Sequence, residues 1–127
     1  MSEFLATPLH IEGTPTSTPE IGHVTYDLYT VRITLHFAEI SHAYLTFKDV
    51  SGFRVLREGD LMELWGSLQP EDWLWEIKAG GWKSLESSRP GFISGHISEI
   101  KEYLVGGEVD CISVLSSSVP EFTAIAP

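Results

Sequence analysis

The sequence has one cysteine, no asparagine, one glutamine and no long apolar run. Cys111 has no second cysteine with which to pair, so intramolecular disulfides are excluded and a reducing compartment is expected. The lack of a long apolar run argues against a membrane-spanning helix. Without asparagine, tight turns must rely on glycine, proline, aspartate and serine. These absences predict a soluble protein, with the cytoplasm as its expected location.

Basic residues are also few, with eight Lys and Arg against 18 Asp and Glu and a net charge of -10. The first basic residue is Arg32, and Glu3 stands where a targeting signal carries positive charge, so we expect no such signal. The negative field disfavours nucleic acid and favours a basic protein or cationic ligand. An acidic surface more commonly serves solubility alone. The oligomeric state stays open, a homodimer included.

The chain length predicts one domain, because 127 residues with 43% hydrophobic content can bury a core without staples. Residues 1–22 contain three prolines among threonine, serine and glycine, which predicts a Pro-rich N-terminal arm. Leu5, Leu9 and Ile11 can still attach part of this arm to the body. Residues 23–127 are then expected to form a single β-rich domain.

Alternating apolar and polar residues predict antiparallel strands in the first half of this domain. Val24 to Phe37 is interpreted as one strand, and the row from Ala43 to Phe47 as its hairpin partner with the apolar side chains on the same face. Phe53 to Leu56 is predicted as a third strand. The three strands would form a meander.

Residues 73–87 are interpreted as a further hairpin. The charges of its residues favour one of two possible registers. A two-residue glycine turn would place Lys78 opposite Lys83, whereas a four-residue loop places Ile77 opposite Trp82 and Glu76 opposite Lys83. We therefore predict the second register, because it avoids the repulsion between two lysines.

Two short helices and a C-terminal hairpin complete the prediction. Asp60 can cap a helix from Leu61 to Trp65, although a strand is nearly as well supported. A second helix or turn ends near Ile100 and is followed by strands 101–105 and 109–116, and the glycine pair Gly106 and Gly107 is expected to form the two-residue turn between them. The predicted fold is mainly β, an antiparallel sandwich or partly open barrel with one or two short helices. An α+β arrangement is the alternative.

Tryptophan and acidic residues are concentrated in one stretch, where Trp65, Trp73 and Trp75 alternate with acids such as Asp72. Exposed rings beside carboxylates suit sugars or cationic ligands, because ring faces attract C–H groups and cations. Tryptophan more often packs in a core, and that interpretation is favoured here. We nevertheless expect at least one tryptophan to stay partly exposed.

The acids Glu58, Asp60 and Glu63 follow a predicted strand into a turn. Helix capping and surface ion pairs explain most of this pattern, so acid and base catalysis has weak support and no catalytic residue is assigned. Neither a metal nor a cofactor is predicted, because the evenly spaced His36, Glu39 and His42 lie in a strand end and a loop.

The segments FRVLREGDLMELW, GGW and EYLVGGEVDCISVLS, in this order, resemble small acidic bacterial proteins of unknown function that look like toxin-immunity proteins. The resemblance covers about half of the chain. It implies a protein-binding role, with Glu58, Asp60, Glu63 and the region of Trp65 as the contact surface.

Two functions are therefore expected from the sequence. The first is a non-enzymatic interaction module that binds a basic partner through an acidic and aromatic face, made of Glu58, Asp60, Glu63, Trp65, Asp72, Trp73 and Trp75. The alternative is a β-domain that binds a small ligand or carbohydrate, with hydrolysis by the neighbouring carboxylates left open.

Overall fold

The computed structural model describes residues 4–61, 66, 68, 71–92 and 99–125. In this part of the chain a 3₁₀ turn, Glu58–Leu61, follows the fifth strand, and one α-helix, α1 (Trp82–Ser87), follows the sixth. The strands are β1 (Leu5–Pro8), β2 (Glu20–Asp27), β3 (Thr30–His36), β4 (Ala43–Phe47), β5 (Val50–Arg57), β6 (Leu74–Ala79), β7 (Lys101–Gly106), β8 (Asp110–Ser116) and β9 (Glu121–Ala124).

The strands form two antiparallel sheets. Sheet A has the order β1-β6-β7-β8-β5, and sheet B has the order β2-β3-β4-β9. Apolar residues from one face of each sheet form the main core between them. The prediction of a mainly β, antiparallel sandwich with short helices is thereby confirmed.

Sheet B follows directly from the alternating pattern of its strands. Val31, Ile33 and Leu35 are fully buried and lie opposite Phe47, Leu45 and Ala43, respectively. Side chains on alternate positions of a strand face the same way, so this register places both apolar rows in the core. The predicted hairpin with its apolar side chains on one face is confirmed.

The prediction of a single strand from Val24 to Phe37 was wrong, because the chain reverses at Leu28 and Tyr29. Both residues have positive φ angles, 47° and 67°, which the twisted two-residue turn of a hairpin requires. Neither residue is of a type that commonly marks such a turn, so the sequence pattern concealed it. The predicted meander was also wrong, since β5 pairs with β8 in sheet A.

Sheet A has apolar residues on both faces. Tyr103, Val105, Ile112 and Val114 face the main core, and each is at most 1% exposed. Burying one such aliphatic side chain stabilises the fold by about 1.5–3 kcal/mol. The opposite face carries a smaller cluster formed by Leu68, Trp75, Ile77, Leu104 and Cys111.

The hairpin predicted for residues 73–87 is wrong, because β6 is followed by α1 and not by a strand. Ile77 lies opposite Ala6 on one side and Glu102 on the other, so it is not paired with Trp82. Strand β6 is an inner strand with both edges already occupied by β1 and β7. A strand returning from the glycine turn would therefore have no free edge on which to pair.

The hairpin of β7 and β8 confirms the prediction of two strands at 101–105 and 109–116. Its turn lies at Glu108 and Val109, directly after Gly106 and Gly107, because the amide of Gly107 donates to the Asp110 carbonyl at 2.8 Å. A Cβ atom at Gly107 would lie 2.9 Å from that carbonyl oxygen and from Ile21. Glycine is therefore needed here for close approach.

The segment assigned to the N-terminal arm contributes β1 at an edge of sheet A. Leu9 and Ile11 pack against the main core, and the Trp73 indole nitrogen donates to the Pro15 carbonyl at 3.1 Å. The apolar residues of the segment thus attach it to the body, as their positions suggested. Proline 8 ends the edge strand, where a missing N–H group costs little.

Candidate functional site

One end of the sandwich collects a large share of the acidic residues. At this end β6 and β8 begin, β5 and β7 finish, and the loops that precede β2 and β4 meet them. We call it the acidic end. Its described carboxylates are those of Glu12, Glu20, Glu39, Glu58, Asp60, Glu71, Asp72, Glu108 and Asp110.

Positive charge is nearly excluded from the acidic end. Arg57 is its one Lys or Arg among residues that the structure describes, and its guanidinium lies 3.6 Å from the Asp110 carboxylate. The remaining basic residues lie along the strands or towards the opposite end: Arg32, Lys48, Arg54, Lys78, Lys83, Arg89 and Lys101. The net charge is therefore unevenly distributed, and the field is strongest at this end.

The centre of the acidic end is the tip of the hairpin between β7 and β8. Val109 is 50% exposed and stands between Glu108 and Asp110. Its carbonyl accepts the backbone amide of Glu58 at 2.9 Å, so the start of the 3₁₀ turn is attached to the hairpin tip. The arrangement places an apolar side chain among carboxylates that come from two separate segments.

The carboxylates near this tip affect the pKa of the buried Cys111 thiol behind it. The pKa of the Cys111 thiol is raised to about 11, chiefly because the thiol is buried; the Arg54 charge lowers it, and the charges of Asp110, Glu58 and Asp60 raise it. The three carboxylates therefore act on the same point of the fold. Cys111 is 1% exposed, so its thiol is buried.

The carboxylates of the acidic end are spread over a surface and do not converge on a metal. No group of three or more potential ligands is found in the described part of the chain. The evenly spaced trio does not assemble either, because Glu39 accepts the Ser17 hydroxyl while the rings of His36 and His42 contact each other edge to face at 4.6 Å. Such a dispersed arrangement suits recognition of a charged surface.

The structure separates the residues that the sequence grouped as a contact surface. Glu58 and Asp60 are exposed at the acidic end, and Asp72 is half-buried there. Trp73 and Trp75 are only 5% and 4% exposed and pack in the core, as the favoured interpretation predicted. The remaining two candidates, Glu63 and Trp65, lie outside the described residues.

The indole of Trp82 is partly exposed, which confirms that at least one tryptophan stays accessible. It is not at the acidic end, because it begins α1 beyond the far end of β6. Its indole nitrogen donates to Glu86 at 3.1 Å, and the Arg54 guanidinium lies 5.1 Å from its ring centroid. The ring is thus engaged within the fold.

Sequence reasoning missed Glu108, Val109 and Asp110 as part of the site. Their signal was present in the hairpin pattern, since the residues of a turn project from the end of a sheet. This signal was concealed because the turn lies two residues after its expected position at Gly106 and Gly107. Without the turn position, Val109 was counted as a strand residue.

No helix of the described residues is long and apolar enough to cross a membrane. Comparison with protein-family models, with curated proteins and with solved structures found no match. The geometry and charge of the chain itself are therefore the basis for a functional proposal.

Proposed function

We propose that the protein is a non-enzymatic interaction module that binds a basic protein through the acidic end. The carrying observation is the collection of carboxylates around the hairpin tip with Arg57 as their one nearby basic residue in the described chain. The sequence resemblance to immunity-like bacterial proteins implies the same class of function and supports the proposal. A free, buried Cys111 fits a cytoplasmic location, which we propose with it.

Long-range attraction is the first step of the proposed binding. Charges gathered on one surface create a potential that orients a basic partner before contact and increases the association rate. The same surface repels acidic proteins and nucleic acid. Because these charges are exposed, salt should weaken the effect strongly.

Contact at the hairpin tip is the second step. Val109 is 50% exposed, and Val55 on the neighbouring edge strand is 46% exposed. An apolar residue surrounded by polar ones resembles the centre and rim of a protein interface. We propose that Val109 enters an apolar depression of the partner while Glu108 and Asp110 meet its basic rim.

The burial of Trp73 and Trp75 favours a protein partner over a carbohydrate platform made from these rings. Sugar recognition by stacking requires an open ring face, and both rings are covered by the core. A partner surface needs only the exposed carboxylates and the hairpin tip.

Capture of partners with charge-matched variants tests the proposal. The acidic-end variant carries Glu58→Lys, Asp60→Lys and Glu108→Lys. The opposite-end variant carries Asp27→Lys, Glu99→Lys and Glu121→Lys, so the two variants have the same net charge. All six side chains are exposed. Each bait is immobilised and incubated with an extract of the source cells at low and high salt, and bound proteins are quantified by mass spectrometry.

The proposal expects a basic protein that the wild type and the opposite-end variant retain and the acidic-end variant loses. Its retention should also fall at high salt. Equal retention by all three baits, or equal loss from both variants, would show that the location of the charge is irrelevant and would refute the proposal.

A further inference from the structure

A cleft opens at the end of sheet A opposite to the acidic end. The last registered pair between β6 and β7 joins Ile77 to Glu102, and beyond it the two strands are no longer paired. The gap between residues 78–79 and 100–101 is bordered by α1, which contributes Ser84 and Ser87. The resulting cavity has a volume of about 580 Å³, a size that suits a small ligand.

Three of the basic residues of this acidic protein line the cleft. They are Lys78 at the end of β6, Lys83 on α1 and Lys101 at the start of β7. The hydroxyl groups of Ser84 and Ser87 add hydrogen-bond donors beside them. A cleft with ammonium and hydroxyl donors from three elements has the chemistry of an anion site.

The two carboxylates of the cleft are already engaged within the protein. Glu102 accepts the backbone amides of Trp82 at 3.1 Å and Lys83 at 2.8 Å, one on each oxygen. Glu76 lies 3.0 Å from the Lys78 ammonium. These contacts hold both acids in place and leave the other two lysines to meet a ligand.

The remaining lysines keep donors for that ligand. Lys83 uses one N–H group on the Ile100 carbonyl, at 2.7 Å, and an ammonium has three donors. Lys101 is exposed, and no ion pair is found for it in the ranges that the structure describes. Ile77 and Ile100 add apolar surface to the lining of the cleft and form its floor.

We propose that this cleft binds a small multivalent anion, a molecule that carries phosphate or carboxylate groups, between Lys83 and Lys101. The site is independent of the proposed protein partner, because it lies at the other end of the sandwich and uses the opposite charge. The serine hydroxyls of α1 complete the coordination of the anion, and the isoleucine floor contacts the carbon part of an organic ligand.

Titration with pyrophosphate and with citrate tests the site and distinguishes the two sources of negative charge. The readout is the set of backbone amide NMR shifts of α1 and the start of β7, recorded at constant ionic strength. Lys101→Gln is the main variant because the Lys101 side chain is exposed, so its replacement is expected to leave the fold intact. Lys83→Gln is the second variant, and Lys48→Gln is the matched control with the same charge change outside the cleft.

Saturable shifts confined to α1, the end of β6 and the start of β7 are expected. Each cleft variant should weaken binding by at least about tenfold through the loss of one hydrogen bond to a charged group, while Lys48→Gln leaves binding unchanged. Tighter binding of pyrophosphate assigns a phosphate ligand, and tighter binding of citrate assigns a carboxylate ligand. Failure of both anions to reach saturation by about 10 mM, or an equal loss of binding in the Lys48→Gln control, would overturn the proposal.

Discussion

Replacing Glu102 should destabilise the fold by releasing the start of α1. The carboxylate is 4% exposed and accepts the amides of Trp82 and Lys83 across the sheet. Gly81, which precedes the helix, makes no side-chain cap, so Glu102 takes the role that a capping side chain normally has.

The magnitude follows from two opposing effects. A hydrogen bond to a charged group contributes about 1.5–3 kcal/mol, and two are lost in Glu102→Ala. Removing the buried charge offsets part of this lost stability, because burial penalises the ionised form of Glu102 and so raises its pKa. We therefore expect Glu102→Ala to lower the free energy of unfolding by about 2–4 kcal/mol.

Glu102→Gln should be milder and should change the pH dependence of stability. The amide keeps one acceptor oxygen and has no charge to bury, so a loss of about 1 kcal/mol is expected at neutral pH. The folded state raises the pKa of Glu102, so the stabilising contribution of this group is greatest below its unfolded pKa. That contribution decreases as the pH rises through the folded pKa.

Denaturant unfolding of wild type and variants from about pH 4 to pH 8 measures both effects. The stability of the wild type relative to Glu102→Gln should fall across this range. Glu99→Gln is the control, since Glu99 is an exposed acid that lies just before β7, the strand that contains Glu102. An unchanged stability in Glu102→Ala, or a wild-type advantage over Gln that grows with pH, would refute the reasoning.

Three further results are expected. Gly81→Ala should lower the free energy of unfolding by about 1–3 kcal/mol, because its Cβ atom would lie 2.8 Å from a Glu102 oxygen, whereas Gly59→Ala meets nothing within 4 Å and should be mild in the same unfolding assay. A thiol reagent should label native Cys111 slowly and unfolded Cys111 rapidly, since the thiol is buried with a pKa of about 11, and fast native labelling would contradict this. Val109→Ala should speed dissociation of a captured partner in a surface-binding assay while changing stability by less than about 0.5 kcal/mol.

The strand pattern was predictable where one face of a strand is buried and the other is wet. β3 and β4 show this, because each inward residue of Val31, Ile33 and Leu35 is flanked by polar residues. The turn at Leu28 and Tyr29 was not predictable, since two ordinary side chains adopt positive φ angles there. Neighbouring structure, and not local preference, determines that turn.

The helix after β6 depends on contacts that are distant in the sequence. Residues 73–87 have the glycine pair and charges of a hairpin, but β1 and β7 occupy both edges of β6. Glu102 then binds the amides at the start of α1 from 19 and 20 residues away. Strand order cannot be read from one local pattern, so the wrong element was predicted here.

The candidate site was predictable in its charge and not in its shape. Glu58, Asp60 and Asp72 were identified from their density along the chain, and all three lie at the acidic end. The roles of Glu108 and Asp110 depend on the position of the hairpin turn. The glycine pair predicted this turn two residues too early in the chain. Trp73 and Trp75 could face either side of a strand, and only packing shows that both are buried.

The association rate between the protein and a captured basic partner tests the central proposal most directly. We expect it to fall by at least about tenfold between low salt and 0.5 M salt, with a smaller change in the dissociation rate. The acidic-end variant should reproduce the loss at low salt, and the opposite-end variant of equal net charge should not. An association rate that is indifferent to salt and equal in the two variants would contradict the account and leave the acidity as a source of solubility alone.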